Sequence, residues 1–300
     1  MNDALRNACL NPNDEFYTYL EDIEKEIPNY RSHLAGKTIF LPCDTSESEF
    51  WAYFCAHFEE LQFKKVVCSH LEAPQSNMQT LQKDGLINSV QLNGNGDFFS
   101  SEIQKILDDC DIVITNPPFS RLKEMVQVLV DKKKDFILIG NENVMFSKIV
   151  WKLYLQGKVY FGKNQVKHFK GINGEEVKFG NTIWITSFRD IERPKFVPTK
   201  TVAEIPPMLE YDNYGAVNID KVKDIPKDYV GIMGVPCSYL KQHNPEIFDI
   251  VGIACGTSRA NGLHQNVEYR DGYPDKGGNP MIDGKRKYSR IFLKNKILNI

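Results

Sequence analysis

The middle of the chain alternates between two hydrophobic patterns. Between residues 37 and 188, short apolar runs predict strands, and longer segments with apolar residues at helical spacing predict helices. The predicted strands are residues 38–41, 65–68, 89–92, 111–115, 136–139, 158–161 and 182–186, and the predicted helices are residues 48–61, 100–108, 122–130 and 146–155. This alternation favours an α/β fold with a parallel, doubly wound, seven-stranded sheet and helices on both faces.

Different patterns flank this region. Residues 13–28 predict an amphipathic helix capped by Asn13 or Asp14. Beyond the last predicted strand, prolines become frequent and long periodic stretches are rare, which predicts an irregular second region. We therefore expect two domains: residues 1–189, with the N-terminal helix and the sheet, and residues 190–300.

The charge of the chain is unevenly distributed. Residues 1–110 carry 18 acidic and 8 basic residues, a net charge of −10, whereas residues 111–300 carry 21 acidic and 29 basic residues, a net charge of +8. The basic excess predicts that the second part faces a polyanion, although charged residues often only solvate a surface. Within it, the glycine-rich segment 256–284 predicts a mobile loop, and residues 285–296 form a basic tail.

Composition argues against several classes of protein. No apolar run approaches the ~20 residues needed to cross a bilayer, and the first twenty residues lack the pattern of a secretory signal. The seven cysteines are scattered and form no C-x-x-C pair, which argues against disulfides and structural zinc. We therefore expect a soluble, cytoplasmic protein without a bound metal and without membrane contact.

The most specific motif follows a predicted buried strand. Residues 111–115 run directly into Asn116-Pro117-Pro118-Phe119. Ligands of open α/β sheets bind outside the carboxyl ends of strands, so these four residues lie where a site is expected. The two prolines fix φ and remove two backbone donors, which leaves a rigid set of hydrogen-bond acceptors. The alternative interpretation is that the segment only turns the chain after the strand.

Such a corner suits an amino group on a planar ring. The side-chain oxygen of Asn116 and the carbonyl of Pro117 can each accept one of the amine hydrogens, and Phe119 can stack on the ring. Two acceptors outside the ring plane favour the pyramidal nitrogen that attacks an electrophilic methyl group, most strongly in the transition state. No metal or covalent intermediate is required, and Cys237 and Ser238 have no recognisable general base beside them.

Several segments together resemble one enzyme family. Asn116-Pro117-Pro118-Phe119 is similar to motif IV of amino-group methyltransferases. Further segments resemble the EcoRI-type adenine-specific DNA methyltransferases: residues 14–18, 22–24, 43–44, 50–54, 96–100, 139–141, 211–214, 231–236 and 244–246. The resemblance covers roughly residues 13–296. It implies a Rossmann-like methyltransferase sheet and S-adenosylmethionine as the methyl donor.

The resemblance also implies roles for individual residues. Those implied to contact the cofactor are Tyr17, Thr18, Asp44, Thr45, Asp97, Phe98 and Asn116, and those at the catalytic corner are Asn116, Pro117, Pro118 and Phe119. Asp97 is expected to accept from the amino group of the cofactor's adenine, with Phe98 against that ring. Glu72 is a candidate for the ribose hydroxyls on a different ground, because acidic residues after the second strand of nucleotide-binding sheets bind them; the family does not clearly keep a carboxylate there. The chain departs from the family pattern at Thr45, where the family carries a second carboxylate.

The implied substrate is adenine in duplex DNA, where the amine is buried in the base stack. The nucleotide must then rotate out of the helix, at a cost of roughly a few kcal/mol that phosphate contacts offset. The candidate phosphate contacts are Lys285, Arg286, Lys287, Arg290, Lys294 and Lys296, with Tyr288 among them. Residues 190–300 are expected to recognise the target sequence. The resemblance leaves room for a cognate restriction endonuclease as a functional rather than physical partner.

Other functions stay open from the sequence. The same Asn-Pro-Pro-aromatic element serves RNA guanine methyltransferases and enzymes that methylate glutamine in proteins. A nucleic-acid-binding homologue that has lost activity is also consistent with the altered segment Asp44-Thr45-Ser46.

Overall fold

A mixed sheet organises the first part of the chain. The computed structural model describes residues 16–171 and 173–296, and the chain divides into two compact units, Met1–Glu192 and Arg193–Ile300. Within the described residues, the first unit contains one nine-stranded sheet. Its strands are β1 Tyr17–Thr18, β2 Thr38–Leu41, β3 Lys65–Ser69, β4 Asn77–Gln82, β5 Ile87–Gln91, β6 Ile112–Thr115, β7 Asp135–Asn141, β8 Tyr160–Lys170 and β9 Glu176–Thr186. They lie in the order β1-β8-β9-β7-β6-β2-β3-β4-β5.

Only the centre of the sheet is parallel. Strands β3, β2, β6 and β7 pair in parallel, whereas every pairing outside them is antiparallel. The expectation of seven parallel strands is therefore wrong for the outer part of the sheet. Strand β4 was not predicted because most of its residues are polar, as an exposed strand beside an edge allows. Strand β1 has only two residues, too few to produce a periodic pattern.

Six helices accompany this sheet in the described residues. They are α1 Leu20–Glu26, α2 Arg31–Leu34, α3 Glu49–Ala56, α4 Ser101–Asp108, α5 Leu122–Asp131 and α6 Lys148–Leu155, with 3₁₀ turns at Ile27–Tyr30 and Glu142–Phe146. The predicted N-terminal helix begins later than expected, because the backbone of Tyr17 and Thr18 pairs with β8. The expected caps Asn13 and Asp14 lie outside the described residues. None of the helices in the described part of the chain is long and apolar enough to cross a membrane.

Helices cover both faces of the central strands. On one face Ile39 and Leu41 of β2 belong to the same hydrophobic cluster as Phe54 of α3. On the other face the approach of α5 is close, since a Cβ on Gly140 of β7 would lie 2.3 Å from the Leu122 side chain. The four central strands are thus buried on both sides, as their nearly continuous apolar sequences predict.

The buried carboxylate of Glu26 holds an irregular part of β8. Glu26 ends α1 with a relative exposure of 0 %. Its oxygens accept hydrogen bonds from the backbone N–H groups of Lys163 and Asn164 (2.9 and 2.8 Å), the Asn164 side chain (2.8 Å) and the Tyr30 hydroxyl (2.7 Å). These contacts lie where the register of β8 against β9 shifts. All four groups donate, so an acceptor-only carboxylate satisfies them together.

The second unit is built on a smaller sheet. In the described residues it contains a five-stranded sheet, a two-stranded ribbon, one short helix and three 3₁₀ turns. The sheet strands are β10 Leu209–Glu210, β11 Val217–Asn218, β12 Met233–Pro236, β13 Phe248–Ala254 and, after the ribbon β14 Met281–Ile282 and β15 Lys285–Arg286, β16 Arg290–Asn295. The helix is α7 Ser258–Asn261, and the turns are Val202–Glu204, Val222–Asp224 and Cys237–Gln242.

A buried polar network runs through the glycine-rich segment 256–284. Asp275 is 1 % exposed and accepts hydrogen bonds from the Asn213 side-chain amide (3.1 Å) and the Tyr269 hydroxyl (2.6 Å). The Asn213 oxygen accepts in turn from the backbone N–H of Met281 (2.9 Å). The segment that was expected to be a mobile loop therefore has an internal framework. Glycine content alone could not indicate this, because the anchoring residue Asn213 is remote in sequence.

We expect Glu26→Gln to destabilise the protein. A glutamine retains one acceptor oxygen but turns an NH₂ group toward backbone donors, so at least one buried N–H loses its partner. The free energy of unfolding should fall by about 2–4 kcal/mol in urea denaturation, without loss of the native circular dichroism spectrum. Glu21→Gln, on the same helix but with a side chain that is 83 % exposed, is the matched control and should change it by less than about 0.5 kcal/mol. Equal stability of the two variants would contradict the role assigned to Glu26.

Candidate active site

A cleft lies at the carboxyl ends of three neighbouring parallel strands. Strands β2, β3 and β6 end at Leu41, Ser69 and Thr115, and the residues that follow them line a cleft that is open to solvent. The lining residues are Phe16, Tyr17, Thr18, Pro42, Cys43, Asp44, Thr45, Ser48, Glu49, Phe50, His70, Leu71, Gly96, Asp97, Phe98, Phe99, Asn116, Pro118, Arg121 and Met125. The cleft thus lies where open α/β sheets bind their ligands.

The side chain of Asn116 has a fixed orientation in this cleft. Its Nδ2 donates a hydrogen bond of 2.5 Å to the backbone carbonyl of Phe16. Because a carbonyl can only accept, the amide nitrogen must face Phe16 and the oxygen must face away from it. The Oδ1 atom is buried and has no hydrogen-bond partner among the described residues. The corner therefore presents one oriented acceptor.

Asp44 is a buried acid in the same cleft. It follows β2, is 7 % exposed, and its Oδ2 accepts a 2.7 Å hydrogen bond from the Thr115 hydroxyl at the end of β6. Burial raises the pKa of Asp44 to about 6, an effect that hydrogen bonds from Thr115 and Ser48 only partly oppose. Within the described residues, Asp44 forms no ion pair with a lysine or arginine. A cationic ligand beside Asp44 would favour its ionised form.

Asp97 belongs to a loop that is tightly packed against its neighbour. A Cβ on Gly96 would lie 2.0 Å from the carbonyl oxygen of His70, and Gly96 has a φ of +78°, so only glycine fits here. The carboxylate of Glu102 accepts from the backbone N–H groups at the start of the same loop, including Gly94 (2.9 Å). The loop holds Asp97 at the cleft, where one of its oxygens accepts from a backbone N–H two residues later.

Phe119 occupies a different place from the one expected. It is 8 % exposed, and its ring lies among the rings of Phe16, Phe169 and Phe179, with centroid distances of 5.8–6.3 Å. It belongs to the hydrophobic core and does not line the cleft, so this conformation leaves no face of Phe119 for a substrate ring. Pro117 is also buried and does not line the cleft, whereas Pro118 does. The expectation of direct stacking is therefore not supported.

The remaining cofactor candidates fall into two groups. Tyr17, Thr18, Thr45 and Phe98 all line the cleft, Tyr17 being exposed and Phe98 buried. The Thr18 hydroxyl is buried and unpartnered among the described residues. Glu72 does not line the cleft, and its carboxylate pairs with His70 at 3.1 Å. Leu71, Arg121 and Met125 also line the cleft but were not predicted, because they carry no motif of their own. Phe50 and Phe99 line it as well, within segments 50–54 and 96–100, although the sequence assigned them no role.

Comparisons with known proteins decide the family. The sequence matches the family described as "Adenine-specific methyltransferase EcoRI" over residues 4–296. The chain belongs to this methyltransferase family. The resemblance that the motifs indicated is thereby confirmed.

Curated relatives of this methyltransferase align along nearly their whole length. It is 32 % identical to Type II methyltransferase M.EcoRI of Escherichia coli, over 99 % of this chain and 98 % of that protein. It is 30 % identical to Type II methyltransferase M.MpnI of Mycoplasma pneumoniae, over 95 % of each chain. A third relative, Type II methyltransferase M.MgeORF184P of Mycoplasma genitalium, is 29 % identical over 94 % of this chain and 95 % of its own. No solved structure matched the chain.

The basic candidates in the second unit of the methyltransferase differ in their surroundings. Lys285 and Arg286 are exposed, and Lys287 is half-buried. The turn that precedes them, between β14 and β15, is also exposed. Arg290 is instead 7 % exposed, and its guanidinium binds the Asn218 side chain at 3.2 Å and pairs with Asp220 at 3.5 Å. The expectation that Arg290 contacts phosphate is wrong for this conformation, because the residue lies in β16 and its charge is used internally.

We expect Asp44→Asn to stabilise the ligand-free methyltransferase at high pH. Well below pH 3.8, the ordinary pKa of an aspartate, the acid is protonated in both folded and unfolded chains and carries no charge-burial cost. As the pH rises from 3.8 toward 6, the carboxyl of Asp44 ionises in the unfolded chain before it ionises in the folded one. The free energy of unfolding of the wild type therefore falls over this range. The variant avoids this loss, and its gain should be about 1–3 kcal/mol at pH 8 and should nearly vanish below about pH 3. Urea denaturation across this range measures it, and a gain independent of pH would argue against a buried charge at Asp44.

Proposed function

We propose that this chain transfers the methyl group of S-adenosylmethionine to the N6 amine of an adenine that has rotated out of duplex DNA. The family description names adenine specificity, and the three relatives are named Type II methyltransferases. The single observation that carries the proposal is the Oδ1 atom of Asn116, a buried acceptor with no partner among the described residues, aimed by the bond to Phe16.

The cleft fits the proposed cofactor. When bound, S-adenosylmethionine supplies an electrophilic methyl group on a positively charged sulfur. The carboxylates of Asp44 and Asp97 suit the ammonium and adenine amino groups, and Phe98 offers an apolar wall for a ring. The Thr18 hydroxyl, buried without a partner in the described residues, provides a further polar contact. Because an unsatisfied buried polar group costs about 1–3 kcal/mol, a ligand that satisfies these atoms binds with a clear advantage.

The chain's own part in catalysis is to hold the amine. Asn116 Oδ1 accepts one N–H of the adenine amine, and the Pro117 carbonyl accepts the second. These acceptors draw the nitrogen lone pair out of conjugation with the ring, because they favour a pyramidal nitrogen. Since the prolines and the bond to Phe16 fix the acceptors beforehand, little reorganisation is needed as the bond forms. The corner thus binds the transition state better than the planar ground state.

A base in duplex DNA reaches this cleft only after leaving the stack, which costs roughly a few kcal/mol. Residues 190–300 would recognise the sequence and bind the backbone, with the ribbon of β14 and β15 as one contact. Its turn, Asp283-Gly284, has positive φ at both residues, and both backbone N–H groups donate to the Asp212 carboxylate at 3.2 and 2.9 Å. This anchoring presents the cations that follow the turn: Lys285, Arg286 and Lys287. Their phosphate contacts would make affinity fall with salt.

The biological role that we propose is protection of one DNA sequence. The names of the relatives place them in Type II systems, in which a methyltransferase modifies the sequence that an endonuclease cuts. The corresponding endonuclease is the functional partner that this proposal implies. Long-read sequencing of DNA from cells expressing the chain would identify the methylated sequence and base.

Transfer of labelled methyl groups tests the proposal directly. The purified chain is incubated with labelled S-adenosylmethionine and, separately, with duplex DNA, RNA and a protein extract. We expect label in DNA, released as N6-methyladenine after digestion to nucleosides. Label confined to RNA or to protein glutamine would overturn the DNA assignment. No label and no cofactor binding would indicate an inactive nucleic-acid-binding homologue.

We expect Asn116→Ala to remove transfer while leaving the cofactor bound. Loss of the oriented acceptor should lower the single-turnover rate by at least about 10²–10³-fold, whereas the dissociation constant for S-adenosylmethionine should stay within a few-fold. Asp97→Ala should have the opposite effect, raising the dissociation constant for S-adenosylmethionine more than it lowers the rate of transfer from the bound cofactor. Calorimetric titration and single-turnover kinetics separate the two effects. If Asn116→Ala instead lost cofactor binding at unchanged stability, the role of Asn116 would be wrong.

A further inference from the structure

Arg121 adds a positive charge to a cleft whose other ionised groups are mostly acidic. Among the described residues that line the cleft, it is the only lysine or arginine. It follows the Asn-Pro-Pro-Phe corner at the start of α5, and its backbone N–H donates to the Pro118 carbonyl at 3.0 Å. The cation is therefore tied through one tight turn to the residues proposed to hold the target amine.

The guanidinium of Arg121 is held by an aromatic ring instead of a carboxylate. It lies 4.2 Å from the centroid of the Phe99 ring, a cation–π contact. Arg31 and Arg290, by comparison, each pair with an acid, at 3.0 and 3.5 Å. In the part of the chain that the structure describes, no carboxylate lies within ion-pair distance of Arg121. Its hydrogen-bonding edge is thus left for an anion from outside the chain.

Two anionic groups can reach this cleft in the proposed reaction. One is the carboxylate at the methionine end of the cofactor, and the other is a phosphodiester of the DNA strand. Phe99 lies two residues after Asp97, in the segment proposed to hold the adenine end of the cofactor. The ammonium at the methionine end belongs to Asp44 under the same proposal, which leaves the phosphodiester as the partner of Arg121.

We propose that Arg121 binds a backbone phosphate of the nucleotide whose base enters the cleft. This inference rests on the proposed function. A nucleotide that rotates out of the duplex carries its phosphates with it, so a cation beside the base-binding corner meets one of them. The planar guanidinium binds phosphate through two parallel N–H donors, and the cation–π contact with Phe99 holds it at the cleft before DNA arrives. Arg121 thereby helps to position the target amine.

The test compares Arg121→Met with wild type on a short duplex that carries the methylated sequence. The dissociation constant for this DNA is measured over a range of salt concentrations, and that for S-adenosylmethionine is measured without DNA. For Arg121→Met we expect DNA binding about 3- to 10-fold weaker and a log–log salt slope smaller by about one, as loss of one phosphate contact predicts. Cofactor affinity should stay within about twofold.

Two further variants sharpen the comparison. Arg121→Lys keeps a charge that pairs with phosphate, so it should retain the wild-type salt slope. Arg31→Met removes a paired surface cation, with a side chain that is 59 % exposed, and should leave both the salt slope and the affinity for DNA unchanged.

Three outcomes would contradict the proposals. Weakened cofactor binding by Arg121→Met with an unchanged salt slope for DNA would assign the anion to the cofactor and overturn the inference. The inference is also overturned if Arg121→Met changes neither the affinity for DNA nor its salt slope although the wild type methylates DNA. Failure of the wild type to methylate any DNA would reject the proposed function itself.

Discussion

The hydrogen bond between the Asn116 amide and the Phe16 carbonyl determines how the whole cleft can be used. It turns an otherwise rotatable side chain into an acceptor with one direction. The bond joins residues that are 100 positions apart, so it exists only because the chain before α1 lies along the sheet. Pairing of β1 with β8 places that segment, and the ring of Phe16 anchors it at 4.8 Å from Phe179. Orientation at the proposed catalytic corner is therefore a property of the tertiary fold.

Three buried polar groups of the cleft destabilise the folded chain. The oxygens of Asn116 and Thr18 are buried without partners in the described residues, and the acid of Asp44 is buried without a neighbouring cation. Each such group costs on the order of 1–3 kcal/mol. The cost is offset by the central strands, whose side chains are buried on both faces. A cleft with unsatisfied groups on a well-packed sheet is the arrangement expected where a ligand completes the hydrogen bonds.

Sequence patterns could predict the parts of this structure that depend on local features. The four central strands and the helices between them follow from apolar runs and helical spacing, and the Asn-Pro-Pro-Phe corner follows a strand end as expected. Features set by remote contacts could not be predicted. Strand β4 is mostly polar, so it shows no apolar run. Arg290 lies in a basic segment that predicts phosphate contacts, but its guanidinium pairs with Asp220 inside the second unit. Arg121 carried no motif, and only its position over Phe99 distinguishes it from other surface arginines.

The aromatic residue of the motif illustrates why identity alone does not give a role. Phe119 packs against Phe16 with a centroid distance of 6.3 Å, and the carbonyl of Phe16 accepts the bond that aims Asn116. Phe119 is thus linked to the corner through Phe16, whose ring it contacts and whose carbonyl orients the Asn116 amide. The aromatic side chains that do line the cleft are Phe16, Tyr17, Phe50, Phe98 and Phe99. Of these, Tyr17 is 45 % exposed and Phe98 is 5 % exposed, so a flat ring entering from solvent meets Tyr17 more readily. Under the proposed function, contact with the substrate ring and support of the acceptor are therefore separate tasks, and the position of Phe119 fits only the second.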